Sequence, residues 1–145
     1  MSEKHTVRVD RAAYEVILQH GEASYPNEGA GFLLGASDGE VTRVEVVLTV
    51  ENRWDPATQA TRYLLEPRDW MQAEDEADAR SLAVVGIFHS HPDHPPRPSQ
   101  FDLDMALPNL AYLITSVRGG KAEETLAWRL GRDRNGFIEE NLETD

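Results

Sequence analysis

The chain contains no cysteine. This excludes a disulfide scaffold, a thiolate zinc site and a cysteine nucleophile. Basic residues are scarce: 14 Lys and Arg against 26 Asp and Glu leave a formal net charge of −12 with histidine neutral. Binding to nucleic acid or to anionic lipid needs lysine and arginine in excess on some surface, so the charge balance speaks against both. No apolar run approaches the ~20 residues of a membrane span. The opening Met1-Ser2-Glu3-Lys4-His5 lacks the basic and apolar regions of a secretory signal. The expectation is a soluble cytoplasmic protein. The 40% hydrophobic fraction supplies a core and is too high for an acidic disordered chain. A chain of 145 residues can bury roughly two-thirds of its unfolded surface, so it needs no covalent or metal staple to fold.

Periodicity and punctuation place the elements. Asp10 reads as a helix N-cap, followed by Ala13, Val16, Ile17 and His20 at helical spacing, with Gly21 as the stop. Tyr25-Pro26-Asn27 breaks the chain. Gly31 to Gly35 reads as a short buried strand, turned at Ser37-Asp38-Gly39 into a β-branched strand from Val41 to Val50. Residues 51–60 form a polar loop, and Tyr63-Leu64-Leu65 suggests a further short strand. Pro67 suits a helix start, and residues 68–81 continue the helix with Trp70, Ala73 and Ala77 on one face and Glu74, Asp75, Glu76 and Asp78 toward solvent. Leu82 to Phe88 is apolar enough for a central strand buried on both faces. Residues 92–98 carry four prolines and must form a stiff extended loop. A helix is expected over 99–107, then strands over 112–117 and 125–130 joined across Gly119-Gly120. There is no internal repeat and no linker. Residues 1–145 read as one α/β domain with a mixed sheet flanked by helices and a core over about 7–131; the tail after Gly136 is expected to add a strand or to fray.

The informative stretch is His89-Ser90-His91-Pro92, six further residues, then Ser99-Gln100-Phe101-Asp102. Side chains two apart in a strand project from one face, so both imidazoles point at one spot and Ser90 points away. Two imidazoles and a carboxylate are a common open ligand set for a catalytic divalent metal. Asp102 supplies the carboxylate if the proline-rich loop folds its helix back over the strand end. Each part also has a plain structural explanation: a chance His-x-His pair, a capping box at Ser99 and Asp102, a rigid connection between them. Their joint occurrence is harder to explain that way, and Ser99 can start the helix and still aim its hydroxyl at the site. His5 and His20 read as surface or helix-end residues, His94 as solvent-exposed in the proline loop or in touch with substrate, and Trp54, Trp70 and Trp128 as packing residues.

The pattern His-x-His-Pro, six residues, Ser-x-x-Asp resembles, without a gap, the JAMM motif of the MPN-plus zinc metalloproteases. Glu28-Gly29-Ala30-Gly31-Phe32-Leu33-Leu34-Gly35 is similar to that family's upstream glutamate element, and Tyr25-Pro26 and Glu66-Pro67 are similar to its bacterial, single-domain members. The likeness runs from about Val7 to Leu130. It departs at Gly29-Ala30, where many bacterial relatives carry a cysteine that is not a ligand. The resemblance implies a cytidine-deaminase-like α/β fold. It implies one zinc ion held by His89, His91 and Asp102, with water as fourth ligand. Glu28 is then the general acid/base and Ser99 the oxyanion donor. It further implies hydrolysis of an amide bond after the C-terminal Gly-Gly of a ubiquitin-like or sulfur-carrier protein. Three other readings remain at this point: a RadC-like DNA-associated protein with a similar motif, a non-catalytic MPN scaffold, and a non-haem iron enzyme using the same donor set.

Overall fold

The structure is a computed structural model that describes residues 5–145. In chain order the elements are β1 (Thr6–Val9), α1 (Arg11–Ser24), β2 (Ala30–Ser37), β3 (Val41–Val50), a 3₁₀ turn (Pro56–Thr58), α2 (Pro67–Ala79), β4 (Ala83–Pro92), α3 (Gln100–Met105), β5 (Ala111–Arg118), β6 (Lys121–Leu130) and β7 (Phe137–Thr144). The strands lie in the order β1-β3-β2-β4-β5-β6-β7, and β1 closes the sheet into a ring by pairing parallel with both β3 and β7. The expected mixed sheet is present, and this closure is a feature that local sequence patterns did not signal. The tail that was expected either to add a strand or to fray forms β7, antiparallel to β6 over Phe137–Glu140 and parallel to β1 over Asn141–Thr144.

The central pair is β4 and β5, parallel from Gly86↔Ala111 to Pro92↔Val117. Both are buried on both faces, which is why their sequences are continuous apolar runs rather than alternating ones. Alternate residues feed two separate layers. Phe88, Leu113, Leu33 and Val44 pack with Ala13 and Ile17 of α1. Ile87, Ile114, Phe32 and Trp128 pack on the opposite face with Ala73 and Ala77 of α2. Each large side chain buried this way contributes roughly 1.5–3 kcal/mol. The same alternation continues past Phe88 and puts His89 and His91 on the α2 side and Ser90 on the α1 side.

Several local expectations are corrected. Gly21 does not end α1; the helix runs to Ser24. A Cβ at Gly21 would lie 3.2 Å from Val117 Cγ2 and 3.3 Å from Ser90 Cβ, so the glycine lets the helix cross close over β4 and β5. Asp10 precedes the helix, but its side chain makes no capping bond and instead faces Arg43 at 3.3 Å. His20, near the C-terminal end of α1, is half-buried and edge-on to Phe88. Tyr63-Leu64-Leu65 joins no ladder, because Tyr63 packs on a histidine ring instead of a neighbouring strand. Helix α3 is shorter than expected and stops at Met105, with Ala106 already extended.

Candidate metal centre

Strand β4 extends four residues beyond its apolar run and carries the histidines on its last turns of pleat. His89 is paired in register with Ala30 on one side and Ile114 on the other, and His91 with Ser116, so ladders fix the backbone of both residues. The proline-rich loop is held down at three carbonyls. Ser116 Oγ donates to His94 O (2.8 Å), the Trp128 indole N–H donates to Pro96 O (3.0 Å), and His91 Nδ1 bonds Pro95 O (2.9 Å). The loop therefore delivers α3 to the strand end. Ser99 caps that helix: its Oγ accepts from the Asp102 amide (3.1 Å), and its own N–H donates to Asp102 Oδ2 (2.9 Å).

Three donor groups converge. His89 Nε2 and His91 Nε2 are 3.1 Å apart. Asp102 Oδ1 lies 3.2 Å from His89 Nε2, and Oδ2 lies 3.1 Å from His91 Nε2. All three residues are buried and their ligand atoms lie within 4.8 Å of one another. Because a carbonyl can only accept, His91 Nδ1 must carry the proton bonded to Pro95 O, which leaves the Nε2 lone pair facing the cluster. Asp102 Oδ1 is buried without a hydrogen-bond partner. The two imidazole nitrogens, 3.1 Å apart, fit neighbouring positions on a tetrahedral zinc ion, whose ligands at about 2.0–2.1 Å stand about 3.3 Å apart, and each Asp102 oxygen lies near one of them.

The electrostatics agree with that fit. Burial alone would raise the Asp102 carboxyl, but the facing His89 and His91 rings and the Ser99 amide hold it well below the usual carboxylate range. Burial also lowers His89, against the pull of Asp102. The direction that matters is an ionised Asp102 carboxylate facing a His91 ring whose Nδ1 proton is held by Pro95 O. Tyr63 stacks on His89 with centroids 4.7 Å apart and planes at 27°.

Glu28 stands beside this cluster where the chain turns into β2. It is 4% exposed and its Oε1 has no partner. Burial, and then the charge of Asp102, pushes its carboxyl up to about 9. A cleft of about 320 Å³ is lined by Glu28, Thr61, His91, His94, Pro95, Arg97 and Ser99. A larger groove of about 440 Å³, between the end of β3 and α2, touches none of the donors. The structure thus brings Glu28, His89, His91, Ser99 and Asp102 to one place. Sequence reasoning missed Thr61, a second hydroxyl on the cleft, and Tyr63. It also missed the cluster in which Trp54 and the Arg62 guanidinium meet Phe101, the residue before Asp102. The only signal for these was the aromatic content of a loop with no periodicity of its own.

A mixed α/β fold in which buried His89, His91 and Asp102 could hold a metal ion, with an acid beside them, defines a class before any comparison. Residues 10–131 match the family of prokaryotic homologs of the JAB domain, and the chain belongs to that family. It is similar to a desampylase of Pyrococcus furiosus, at 36% identity over 104 residues covering 71% of this chain and 66% of that one, just under two thirds of its length. It is also similar to a probable TtuB-protein conjugate cleaving protease of Thermus thermophilus, at 31% identity over 114 residues, 79% of this chain and 72% of that one. Among solved structures, a Desulfitobacterium hafniense protein superposes with a TM-score of 0.83 at 30% identity, covering 96% of this chain and 92% of that one.

Proposed function

We propose that this protein is a zinc-dependent isopeptidase or peptidase that cleaves the amide bond after the C-terminal Gly-Gly of a ubiquitin-like or sulfur-carrier protein. The observation that carries the reading is the convergence of His89, His91 and Asp102 beside a buried, unpartnered Glu28 at the wall of an open cleft. His89 Nε2, His91 Nε2 and Asp102 would hold the zinc ion. When bound, zinc supplies Lewis acidity that acidifies water toward a pKa of roughly 7 and polarises the scissile carbonyl.

The residues of the chain do the rest. Glu28 takes a proton from the attacking water at its carboxylate as the water oxygen bonds to the carbonyl carbon. A cation held by the donors would offset the Asp102 charge, the lesser after burial of the two causes that raise Glu28, and so bring its carboxylate form nearer neutral pH. Ser99 Oγ already accepts the Asp102 amide, so its own O–H proton is free to bond the carbonyl oxygen as negative charge builds there. Glu28 then returns the proton to the leaving nitrogen as the C–N bond breaks. The products are a carrier carboxylate and a free amine.

The names of the similar desampylase and conjugate-cleaving protease support a ubiquitin-like substrate. So does the sheet. β1 pairs with β3 only over Val41–Val44, which leaves the outer edge of residues 45–50 free of a partner strand among the described residues. An extended Gly-Gly tail can pair along such an edge as it runs toward the cleft. The complete donor set speaks against a scaffold role, and the charge of −12 against a DNA-associated one.

The test uses the zinc-loaded protein and carrier fusions extended past Gly-Gly by a short peptide or joined to a lysine, with products read by mass. Cleavage after the second glycine is expected. Glu28→Gln is expected to keep one zinc per chain and lose hydrolysis, and His89→Ala to lose both zinc and hydrolysis. Turnover by Glu28→Gln would remove that residue from the mechanism.

A further inference from the structure

Glu28 needs a fixed aim, and its side chain does not supply one, because Oε1 has no hydrogen-bond partner. Its aim is set by its peptide, which is gripped on both sides by the segment between β3 and α2. The Glu28 N–H donates to Gln59 O at 2.8 Å. The Glu28 carbonyl accepts from Asn52 Nδ2 at 2.9 Å.

Asn52 uses both of its N–H groups and its carbonyl oxygen. Its amide nitrogen also donates to Arg62 O at 3.0 Å, and its Oδ1 accepts from the Trp54 N–H at 3.0 Å. Gln59 closes the same knot, donating from Nε2 to Asn52 O (3.1 Å) and Trp54 O (2.6 Å). Arg62 immediately precedes Tyr63, whose ring backs His89, and its guanidinium lies 4.8 Å over Phe101, next to Asp102. One side-chain amide therefore ties the Glu28 peptide to the stretch that packs against the donor cluster. Asparagine fits this place because it alone among residues of its size offers two N–H groups and an acceptor from one planar group.

We infer that Asn52 is the positioning residue for Glu28, holding the acid at a fixed offset from the His89–His91–Asp102 cluster. This rests on the role given to Glu28 above. Aspartate at position 52 keeps the shape and the acceptor but has no N–H to give, so it isolates the two donated bonds; alanine removes all three.

The test compares wild type, Asn52→Asp and Asn52→Ala, each zinc-loaded, on a carrier fusion extended past Gly-Gly. Both variants are expected to keep one zinc per chain and a KM close to wild type. Their kcat should fall by about 10–100-fold, the scale of a displaced catalytic group. The pH dependence of kcat should shift, and crystals of the zinc-loaded variants should show the Glu28 carboxylate moved from its wild-type place. Wild-type kcat in Asn52→Asp, or an unmoved Glu28 in its crystals, overturns the inference. Loss of zinc or of folding in both variants also overturns it, since Asn52 is then a general strut; if Asn52→Ala alone fails to fold, Asn52→Asp decides. Turnover by Glu28→Gln, or no cleavage by wild type, is the failure of the earlier reading, and the position of Glu28 in the crystals still decides whether Asn52 sets it.

Discussion

At the scale of single residues, several groups here serve two masters. Ser99 is both the N-cap of α3 and one of two hydroxyls on the cleft, and the two roles separate by substitution. Ser99→Ala should cost about 1 kcal/mol of stability and Ser99→Gly only a few tenths. Both should lower kcat by about 10²–10³-fold, as loss of an oxyanion donor does. Thermal melts and turnover on the same fusion check the pair; an active Ser99→Gly would leave only the cap. Glu28 carries a pH signature of its own. Its folded value of about 9 lies above the ordinary 4.5, so the folded metal-free protein holds a proton that the unfolded chain releases. The favourable contribution is complete below about 4.5 and is lost as pH rises through 9. Glu28→Gln should therefore gain thermal stability over wild type in metal-free buffer, with a gap that widens from pH 5 to pH 9. A gap that stays constant would mean that Glu28 does not titrate in this way.

Elements show how far local pattern reaches. The apolar run of β4, the β-branched run of β3 and Pro67 at the start of α2 were legible because burial period and capping chemistry are local. The placement of His89 and His91 on one face followed from the two-residue pleat alone. Gly21 was misread because a helix stop and a close helix–sheet crossing demand the same residue, and only the packing partners tell them apart. Gly21→Val makes the distinction measurable. Valine is the better helix former by a few tenths of a kcal/mol, yet overpacking against Val117 and Ser90 should destabilise by about 1–3 kcal/mol. A rise in denaturant midpoint would refute the crossing. The 51–66 segment was opaque for a different reason. Asn52, Gln59 and Tyr63 act by meeting the Glu28 peptide and the His89 ring, which are remote in sequence, and no periodicity records such contacts.

For the whole molecule, the two hydrophobic layers are built from residues other than His89, His91 and Asp102. Zinc should therefore raise stability by simple mass action rather than create the fold. Chelation should lower the melting temperature and abolish hydrolysis while leaving a cooperative transition and an intact far-ultraviolet spectrum; a chelated chain with no transition would show the ion to be structural. The ring closure has one more consequence. Its seam joins positions as far apart as Arg8 and Glu143, separated by 135 residues, through a single four-residue strand. Tethering ends so distant carries the largest entropic toll of any pairing in the chain. In refolding, amide protons of β1 and of the second half of β7 are accordingly the last to become shielded from exchange, well after β4 and β5 have already gathered the histidine pair.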